Sequence, residues 1–548
     1  MSGDAWARRP CYEMTQLCCS IFVHDLAQAQ RDAALAAEAG ADLIEYRIDH
    51  FDPTIEPGLV ENSPLPCIVT CRPTWEGGDS DLSDRERLSR LSGQLSAGAS
   101  YADVELKTYQ RAKPFVPTEG RLIVSAHDFK QRPDRLLNLF HELNEVPAEI
   151  TKVVWMARTI RDNLEAFELL QNKQKPTIAL CMGEAGLISR VLAKKFGAFL
   201  TFAGLTTQSV TAPGQVSIHD MKRLYRWDAI QPSTNVYGIV AEPVMHSMSP
   251  AIHNAGFEAV NHDGVYLPML VHAGYESFKA FMESFLNFAP LDLAGLSITL
   301  PHKENALRYL KEKGAEIEPL AERIGTVNTI VIQRDDLPPS SPSPRTPGEG
   351  RGEGVPPPSN LKLRGFNTDY AAILDTITTT LNITREDLKN YRVAVLGAGG
   401  TGRTAVAALA EYGATVVVYN RTFQRAQELA NEFNGRHGKV VAARLEKLCD
   451  SCCHIFINTT SVGMHPNIDA SPLGDTPPKF TPETLVFDTI YNPIKTKLLM
   501  HAEAAGAKTV GGIEMFIRQA ARQFEAWTNQ TAPLDLFRSV VESRLQPI

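Results

Sequence analysis

The chain has 548 residues, 43% hydrophobic and 22% charged, with a formal net charge of -8. That composition is ordinary for globular protein, and at about 100–200 residues per domain it implies three or four domains. The charge balance argues against a nucleic-acid partner, no run is apolar and long enough to suggest a membrane partner, and the nine cysteines follow no disulfide framework.

Residues 1–16, MSGDAWARRPCYEMTQ, lack the apolar stretch of a secretory signal and are short and acidic for a transit peptide. A cytoplasmic location with reduced thiols is the expectation. Cys449, Cys452 and Cys453 lack a second ligand pair, so no metal site is expected there.

From residue 15 to 228, β-rich runs alternate with helical patterns. The runs are LCCSIFV, DLIEYRI, PCIVTCR, YADVEL, RLIVSAH, TKVVWMA, PTIALCM and AFLTFA. Eight strand–helix units predict a (β/α)8 barrel, with an open doubly wound sheet as the alternative. A barrel gathers its chemistry at the C-terminal ends of its strands. Glu45, Arg47, Arg72, Glu76, Glu105, His127 and Arg190 all fall at or near those ends.

Lys152 lies inside the sixth run, ITKVVWM, among β-branched residues. A lysine is almost never fully buried without a partner. Burial can lower a lysine pKa by about 3–5, which suits an amine that attacks a carbonyl. The plain alternative is an edge-strand lysine whose head reaches water.

A second α/β unit begins at VYGIVAEPVMHSMSP. Between TVNTIVI and LKLRGFNTD lies PPSSPSPRTPGEGRGEGVPPPSN, too rich in Pro, Ser and Gly to bury a core. Both flanks read as strands, so this insertion, residues 335–360, is expected to be disordered and to sit at a hairpin tip.

The third unit opens with YRVAVLGAGGTGR, a strand, a Gly-rich turn and a helix, followed by the strand TVVVYNRT. Gly397 permits the tight turn, Gly399 lets backbone approach a pyrophosphate, and Gly402 packs helix on strand. Ala398, Gly400 and Thr401 complete the expected cofactor loop. The second strand ends in Asn420, Arg421 and Thr422, with Arg425 one turn on, where a NAD site usually has an acid. Arginine suits a 2′-phosphate, so NADP(H) is expected.

Two families are recognisable at this point. EYRID, TCRPTWEGG, SAHDF, TKVVWMA, MGEAGLISR and TAPGQ resemble type I 3-dehydroquinate dehydratases across residues 15–228. EPVMHSMSPAIHN, SITLPHKE, IGTVNT, GFNTDYAA, GAGGTGR, NTTSVGM, YNPIKTKLL and GGIEMFIRQAARQFEAW resemble shikimate dehydrogenases across residues 236–530. The order of the halves matches two consecutive reactions of the shikimate pathway. The resemblance implies a dehydratase barrel over 15–228 and a two-domain dehydrogenase. Residues 234–388 plus 513–548 would bind substrate, and 389–512 would form a Rossmann domain for NADP.

In the first half the resemblance makes Lys152 the Schiff-base amine for the C3 ketone of 3-dehydroquinate. His127 removes the C2 proton and protonates the leaving C1 hydroxyl, and Glu76 orients it. Arg190 binds the substrate carboxylate, while Glu45, Arg47, Arg72, Thr211 and Gln215 supply other substrate contacts. Cationic arginine neighbours are expected to help hold the lysine neutral. In the second half it makes Lys303 and Asp369 the acid–base pair for reducing 3-dehydroshikimate to shikimate. Ser247, Ser249, Thr299, Asn328, Tyr491 and Gln519 bind substrate. Gly512 and Met515 belong to the cofactor site, Met515 lying against the nicotinamide.

Three positions depart from the family pattern. Thr211 stands where Ser is frequent, Ala126 where an aromatic precedes the histidine, and Ser297 where bacterial members have Asn. Two rival readings are a quinate preference in the second half and a non-catalytic regulator. The intact Lys152, His127, Lys303 and Asp369 count against the regulator. Oligomeric state is not legible in the sequence.

Overall fold

The computed structural model describes residues 14–50, 58–117, 121–206, 212–334, 361–435, 437–448, 452–474 and 478–545. Residues 1–13, the insertion 335–360, Thr211 and Cys449 lie outside the described residues. The chain forms two compact units, Met1–Pro250 with Asp263–Leu293, and Ala251–His262 with Ala294–Ile548.

In the first unit the strands are β1 (Gln16–Phe22), β2 (Leu43–Arg47), β3 (Cys67–Thr70), β4 (Tyr101–Glu105), β5 (Arg121–Asp128), β6 (Ile150–Met156), β7 (Thr177–Met182) and β8 (Leu200–Ala203). Each coincides with one predicted run to within two residues. Six helices alternate with them: α1 (Leu26–Glu38), α2 (Asp84–Ser96), α3 (Leu106–Arg111), α4 (Leu136–Glu145), α5 (Asp162–Gln171) and α6 (Leu187–Val191). All strand pairs are parallel, in the order β7-β6-β5-β4-β3-β2-β1-β8. Among the described residues no ladder joins β7 to β8. The ring is nearly closed there by the Phe199 N–H, which donates to the Thr177 carbonyl at 2.8 Å.

The barrel interior is layered. Cys18, Leu43, Ile68, Tyr101, Ile123, Ile150, Ile178 and Leu200 form an apolar floor, one from each strand. Side chains repeat every two residues along a strand, so the next inward layer is Ser20, Glu45, Thr70, Asp103, Ser125, Lys152, Leu180 and Phe202. Six of those eight are polar. The floor shuts out water below them, and this is why the polar groups must satisfy one another.

The first unit continues through the parallel pair β9 (Asn235–Ala241) and β10 (Gly264–Leu270) and through α7 (Ser249–Ala259), which runs on into the second unit, to α8 (Tyr275–Asn287). Here the compact units cut the chain differently from boundaries at 228 and 234. Lys195, with its side chain 1% exposed, donates from Nζ to the carbonyls of Pro232 and Thr234 and to Asp292 Oδ2 at 2.7 Å. Phe196 packs against both Phe167 and Phe288, with ring centroids 4.0 and 5.9 Å away. These contacts fasten the end of the barrel to the strand pair.

The second unit contains β11 (Leu293–Ile298), β12 (Glu316–Ile317), β13 (Thr329–Arg334) and β14 (Leu361–Phe366), with α9 (Lys303–Glu312), α10 (Pro319–Ile324) and α11 (Thr368–Leu381). β13 pairs antiparallel with both β11 and β14, and Arg334 stands opposite Leu361. The chain on either side of residues 335–360 therefore is a hairpin, as its two strand-like flanks predict.

Six parallel strands follow: β15 (Arg392–Leu396), β16 (Thr415–Tyr419), β17 (Lys439–Ala443), β18 (Ile455–Asn458), β19 (Leu485–Asp488) and β20 (Lys508–Val510). Their order is β17-β16-β15-β18-β19-β20, the doubly wound arrangement of a dinucleotide-binding domain. Its helices are α12 (Gly400–Glu411), α13 (Phe423–Phe433) and α14 (Lys497–Ala504); α15 (Gly512–Thr528) and α16 (Leu534–Leu545) end the chain's described part. No helix among the described residues is long and apolar enough to cross a membrane.

Candidate active sites

The barrel holds one pocket lined by Glu45, Arg47, Arg72, His127, Lys152, Arg190 and Gln215. Lys152 is 4% exposed and projects from the polar layer. Its Nζ donates to Asp103 Oδ2 at 2.9 Å, lies 3.7 Å from Glu45 Oε1, and sits 4.4 Å above the Phe202 ring. The expectation that arginines flank this amine is corrected here. Its immediate partners are carboxylates, and Arg72 reaches it only through Asp103.

Asp103 is fully buried. Oδ1 accepts from Arg72 Nη2 at 2.9 Å and from Ser125 Oγ at 2.5 Å. Burial alone would raise its pKa, but Arg72 and Lys152 outweigh that and hold the carboxyl well below the usual range. Arg72 also donates to Glu105 at 2.9 Å, and its own pKa stays raised although burial opposes it, because Asp103, Glu105 and Glu76 surround it. Three of its five N–H donors are thus directed at Glu105, Ser125 and Asp103. Arg47 is likewise bound to Asp49, at 2.6 Å.

His127 is near the end of β5. Its Nδ1 is 2.9 Å from Glu76 Oε1, which also accepts the His127 backbone N–H at 3.0 Å. Glu76 comes from the turn after β3, and two glycines return that turn to β5. A Cβ on Gly78 would lie 2.2 Å from the Arg72 carbonyl, and Gly77 has φ +73° against the Phe129 ring. Burial pushes the Glu76 carboxyl up to about 8, with Arg72 opposing. Burial, then Arg72 and Lys152, push the imidazole well below its ordinary value.

Arg190 is 1% exposed, and its Nε has no partner among the described residues. Burial lowers its pKa to about 10. A buried guanidinium with an open donor facing a pocket suits a carboxylate. Gln215 arrives by the loop after β8, where Gly214, φ +72°, lies so close to Gly183 that a Cβ would be 2.2 Å from its carbonyl oxygen.

In the second unit Lys303 opens α9 and Asp369 lies in the first turn of α11. Nζ donates to Asp369 Oδ2 at 2.6 Å. Asn328 is anchored beside them. Its Oδ1 accepts the Thr368 N–H at 2.8 Å, and its Nδ2 donates to Thr368 Oγ1 at 3.1 Å. Thr299 accepts the His302 N–H at 2.8 Å in the turn that leads into α9. Ser297 is turned to Gln523 at 3.0 Å, a use of the hydroxyl that explains its place there. Tyr491 stacks on Phe516, ring centroids 5.2 Å apart, between Met515 and Gln519 on α15. Ser247 and Ser249 belong to the first unit, where the Ser249 N–H donates to Ser247 Oγ at 3.2 Å.

The Gly-rich turn has the steric form of a phosphate cradle. Gly397 has φ +112°, and a Cβ there would stand 2.7 Å from Thr459 Oγ1. A Cβ on Gly402 would be 2.3 Å from the Gly397 carbonyl, whereas Gly399 and Gly400 face open space. Asn420 accepts the Ala398 N–H at 3.2 Å, and Thr422 caps α13. Arg421 and Arg425 are exposed beside it. Gly512 is used for packing as well, since a Cβ would meet the Thr489 carbonyl at 2.3 Å.

Sequence reasoning passes over Asp103, Ser125 and Asp49. Asp49 accepts the backbone N–H of Arg72 at 2.9 Å and of Asp79 at 3.1 Å, and so ties down the turn that carries Glu76. The available signal for Asp103 is its spacing: it lies two residues beyond a floor residue, as Lys152 does.

The fold and its sites define a buried-amine (β/α)8 barrel fused to a doubly wound dinucleotide-binding unit. Family models match in the same order: type I 3-dehydroquinase over residues 17–232, shikimate dehydrogenase substrate binding domain over 239–330, shikimate/quinate 5-dehydrogenase over 380–495, and shikimate 5′-dehydrogenase C-terminal domain over 512–542. The bifunctional 3-dehydroquinate dehydratase/shikimate dehydrogenase, chloroplastic, of Arabidopsis thaliana is 36% identical over 547 residues, covering 96% of this chain and 84% of that one. The NADP(+) shikimate dehydrogenase of Methanosarcina barkeri is 35% identical over 317 residues, 57% of this chain and 99% of that one. A solved structure of dehydroquinate dehydratase and shikimate dehydrogenase from S. pombe is 24% identical, with TM-score 0.42, covering 97% of this chain and 98% of that one. The chain belongs to the family of bifunctional 3-dehydroquinate dehydratase/shikimate dehydrogenases.

Proposed function

We propose that the barrel dehydrates 3-dehydroquinate to 3-dehydroshikimate and that the C-terminal half reduces 3-dehydroshikimate to shikimate with NADPH. The observation that carries the reading is Lys152, held on Asp103 in the pocket that also contains His127 and Arg190. The functional domains follow the boundaries 15–228, 234–388 plus 513–548, and 389–512, in a compartment that keeps thiols reduced, the cytoplasm.

In the barrel, Asp103 positions Lys152, whose amine, once its extra proton has passed to water, attacks the C3 ketone. Loss of water gives the iminium. His127 then takes the C2 proton and the electron pair flows into the iminium, forming an enamine. That pair returns to expel the C1 hydroxyl, which leaves as water with the proton His127 carries. Hydrolysis frees the product and the lysine. Glu76, on Nδ1 of the imidazole, fixes the tautomer that leaves Nε2 available. Arg190 holds the substrate carboxylate, and Glu45 and Gln215 bind hydroxyls.

In the second half NADPH, when bound, supplies hydride to the substrate ketone. The chain's own groups hold and move the proton. Lys303 gives a proton to the developing alkoxide, directly or through water, and Asp369 holds the lysine in place through their 2.6 Å contact. Thr299, Asn328, Tyr491 and Gln519 orient the ring, with Asn328 made rigid by Thr368. Gly397, Ala398, Gly399, Gly400, Thr401 and Gly402 cradle the pyrophosphate, and Asn420, Arg421, Thr422 and Arg425 receive the 2′-phosphate. The open space over Gly399 and Gly400 supports this fit.

The test is product identification after incubation of the purified chain with 3-dehydroquinate and NADPH. Shikimate is expected. Quinate would give the second half the other specificity, and unchanged 3-dehydroquinate would overturn the dehydratase assignment.

A further inference from the structure

A second recess, of about 420 Å³, opens between the end of α11, the end of β20 and the start of α15. It shares no residue with the sites above. α11 and α15 run antiparallel here: Thr379 and Thr380, late in α11, line the recess with Gly511, just ahead of α15, whereas Asp375, earlier in α11, meets Arg522, later in α15. Asp375 accepts from Arg522 and from Arg385, each at 2.5 Å.

One helical turn along the same seam the pattern breaks. Arg518 stands four residues before Arg522, and Thr379 stands four residues after Asp375, so a hydroxyl occupies the place of the matching acid. Arg518 lines the recess, and its buried Nε has no hydrogen-bond partner among the described residues. Thr376, 1% exposed, also lines it, and its Oγ1 is buried without a partner. Three of the other polar groups are committed. Thr380 donates to the Thr376 carbonyl at 2.7 Å, Thr509 donates to Glu503 at 3.1 Å, and Glu514 is paired with Arg538. What remains is a guanidinium, the buried Thr376 hydroxyl and the exposed Thr379 hydroxyl, while the one carboxylate of the lining, Glu514, is already paired.

Leaving buried donors unmade is costly, and a guanidinium fork fits a carboxylate or a phosphate. We infer that this recess is a binding site for a small oxyanion, the carboxylate or phosphate of a soluble metabolite, held by Arg518 and the Thr376 hydroxyl. Arg518 and Glu514 adjoin Gln519 and Met515 in sequence, so an occupant here bears on the helix that presents those residues.

The test is calorimetric titration of the full chain with inorganic phosphate and, separately, with citrate, against R518Q, R518K and T376V. Anion binding elsewhere is common to all four proteins and cancels in the comparison. The expected result is a saturable site that R518Q weakens at least tenfold and T376V severalfold, with R518K between, while melting temperatures stay close to the parent. Phosphate alone, or citrate alone, filling that site identifies which oxyanion it takes. Equal binding of both probes by R518Q and the parent overturns the inference. The titration reads neither catalytic activity, so its outcome is independent of the functional reading.

Discussion

Lys152 and Asp103 meet at 2.9 Å in the centre of the barrel, while Arg72 closes on the other oxygen of the same carboxylate, also at 2.9 Å. Two cations thus share one buried acid. Asp103 is expected to position the amine. Lys152→Ala should abolish the covalent adduct trapped by borohydride from 3-dehydroquinate, seen as mass on the intact chain. Asp103→Asn should slow trapping and lower dehydratase kcat by about 10²-fold, because the amine loses the carboxylate that positions it. It should also destabilise the fold by about 3 kcal/mol, because two buried cations lose their partner. Trapping by Asp103→Asn at the parent rate would refute the role.

Glu76 sets a pH dependence. Its carboxyl is pushed up to about 8, chiefly by burial. Below that pH it is protonated and donates to His127 Nδ1, leaving the proton on Nε2, so the imidazole cannot act as base there. Dehydratase kcat/KM should therefore rise with pH through about 8. Glu76→Gln should flatten that limb at a plateau roughly 10–100-fold lower. Stability has the opposite sign. The folded state holds this proton more tightly than the unfolded chain, so from the ordinary carboxylate range up to about pH 8 each rise in pH costs stability. Denaturation midpoints of the parent and Glu76→Gln, compared across that window, should converge at its acidic end and diverge towards pH 8.

Much of this was legible from strand pattern and motif. All eight barrel strands follow from alternating apolar runs, and Gly397, Gly399 and Gly402 have steric settings that match their spacing. The neighbours of Lys152 were not legible, because Asp103 and Ser125 come from other strands and meet it only when the barrel curls. The spacing in YADVEL puts its aspartate on the same face as Tyr101, but nothing local says that Lys152 is what it meets there. The cut between compact units was equally hidden. It depends on Lys195 finding Asp292, 97 residues away.

The glycine turn separates two effects that look alike in sequence. Gly402→Ala places a Cβ 2.3 Å from the Gly397 carbonyl, so backbone must move. A loss of about 1–3 kcal/mol is expected, in line with overpacking of a close contact. Gly399→Ala meets nothing within 4 Å and should leave stability unchanged. It should instead raise the KM for NADPH, because its methyl enters the space over the turn. Thermal denaturation and dehydrogenase kinetics on both variants check this; equal melting losses would remove the distinction.

Arg421 and Arg425 are expected to decide which nicotinamide cofactor is preferred. Both are exposed at the end of β16 and the start of α13, where no acid is available to a ribose hydroxyl. Removing a guanidinium that pairs with a 2′-phosphate costs one charge-assisted contact. Arg421→Ala should raise the KM for NADPH about 10–100-fold and leave the KM for NADH nearly unchanged. Initial rates with each cofactor at saturating shikimate-pathway substrate supply the comparison.

Lys303 and Asp369 give the last expectation, and it tests whether the two halves act separately. Lys303 starts α9 and Asp369 sits in the first turn of α11, so each is fixed by a helix end, and their 2.6 Å contact closes the pair. Lys303→Ala removes the proposed proton donor and should lower dehydrogenase kcat by about 10²–10⁴, with a smaller change in the KM for 3-dehydroshikimate. Asp369→Asn keeps a hydrogen-bond acceptor but loses the charge, so its effect should be smaller. Neither change touches the barrel, so dehydratase kcat/KM should be unaltered in both. A Lys303→Ala chain given 3-dehydroquinate and NADPH should then accumulate 3-dehydroshikimate, whereas continued production of shikimate at the parent rate would remove Lys303 from the chemistry.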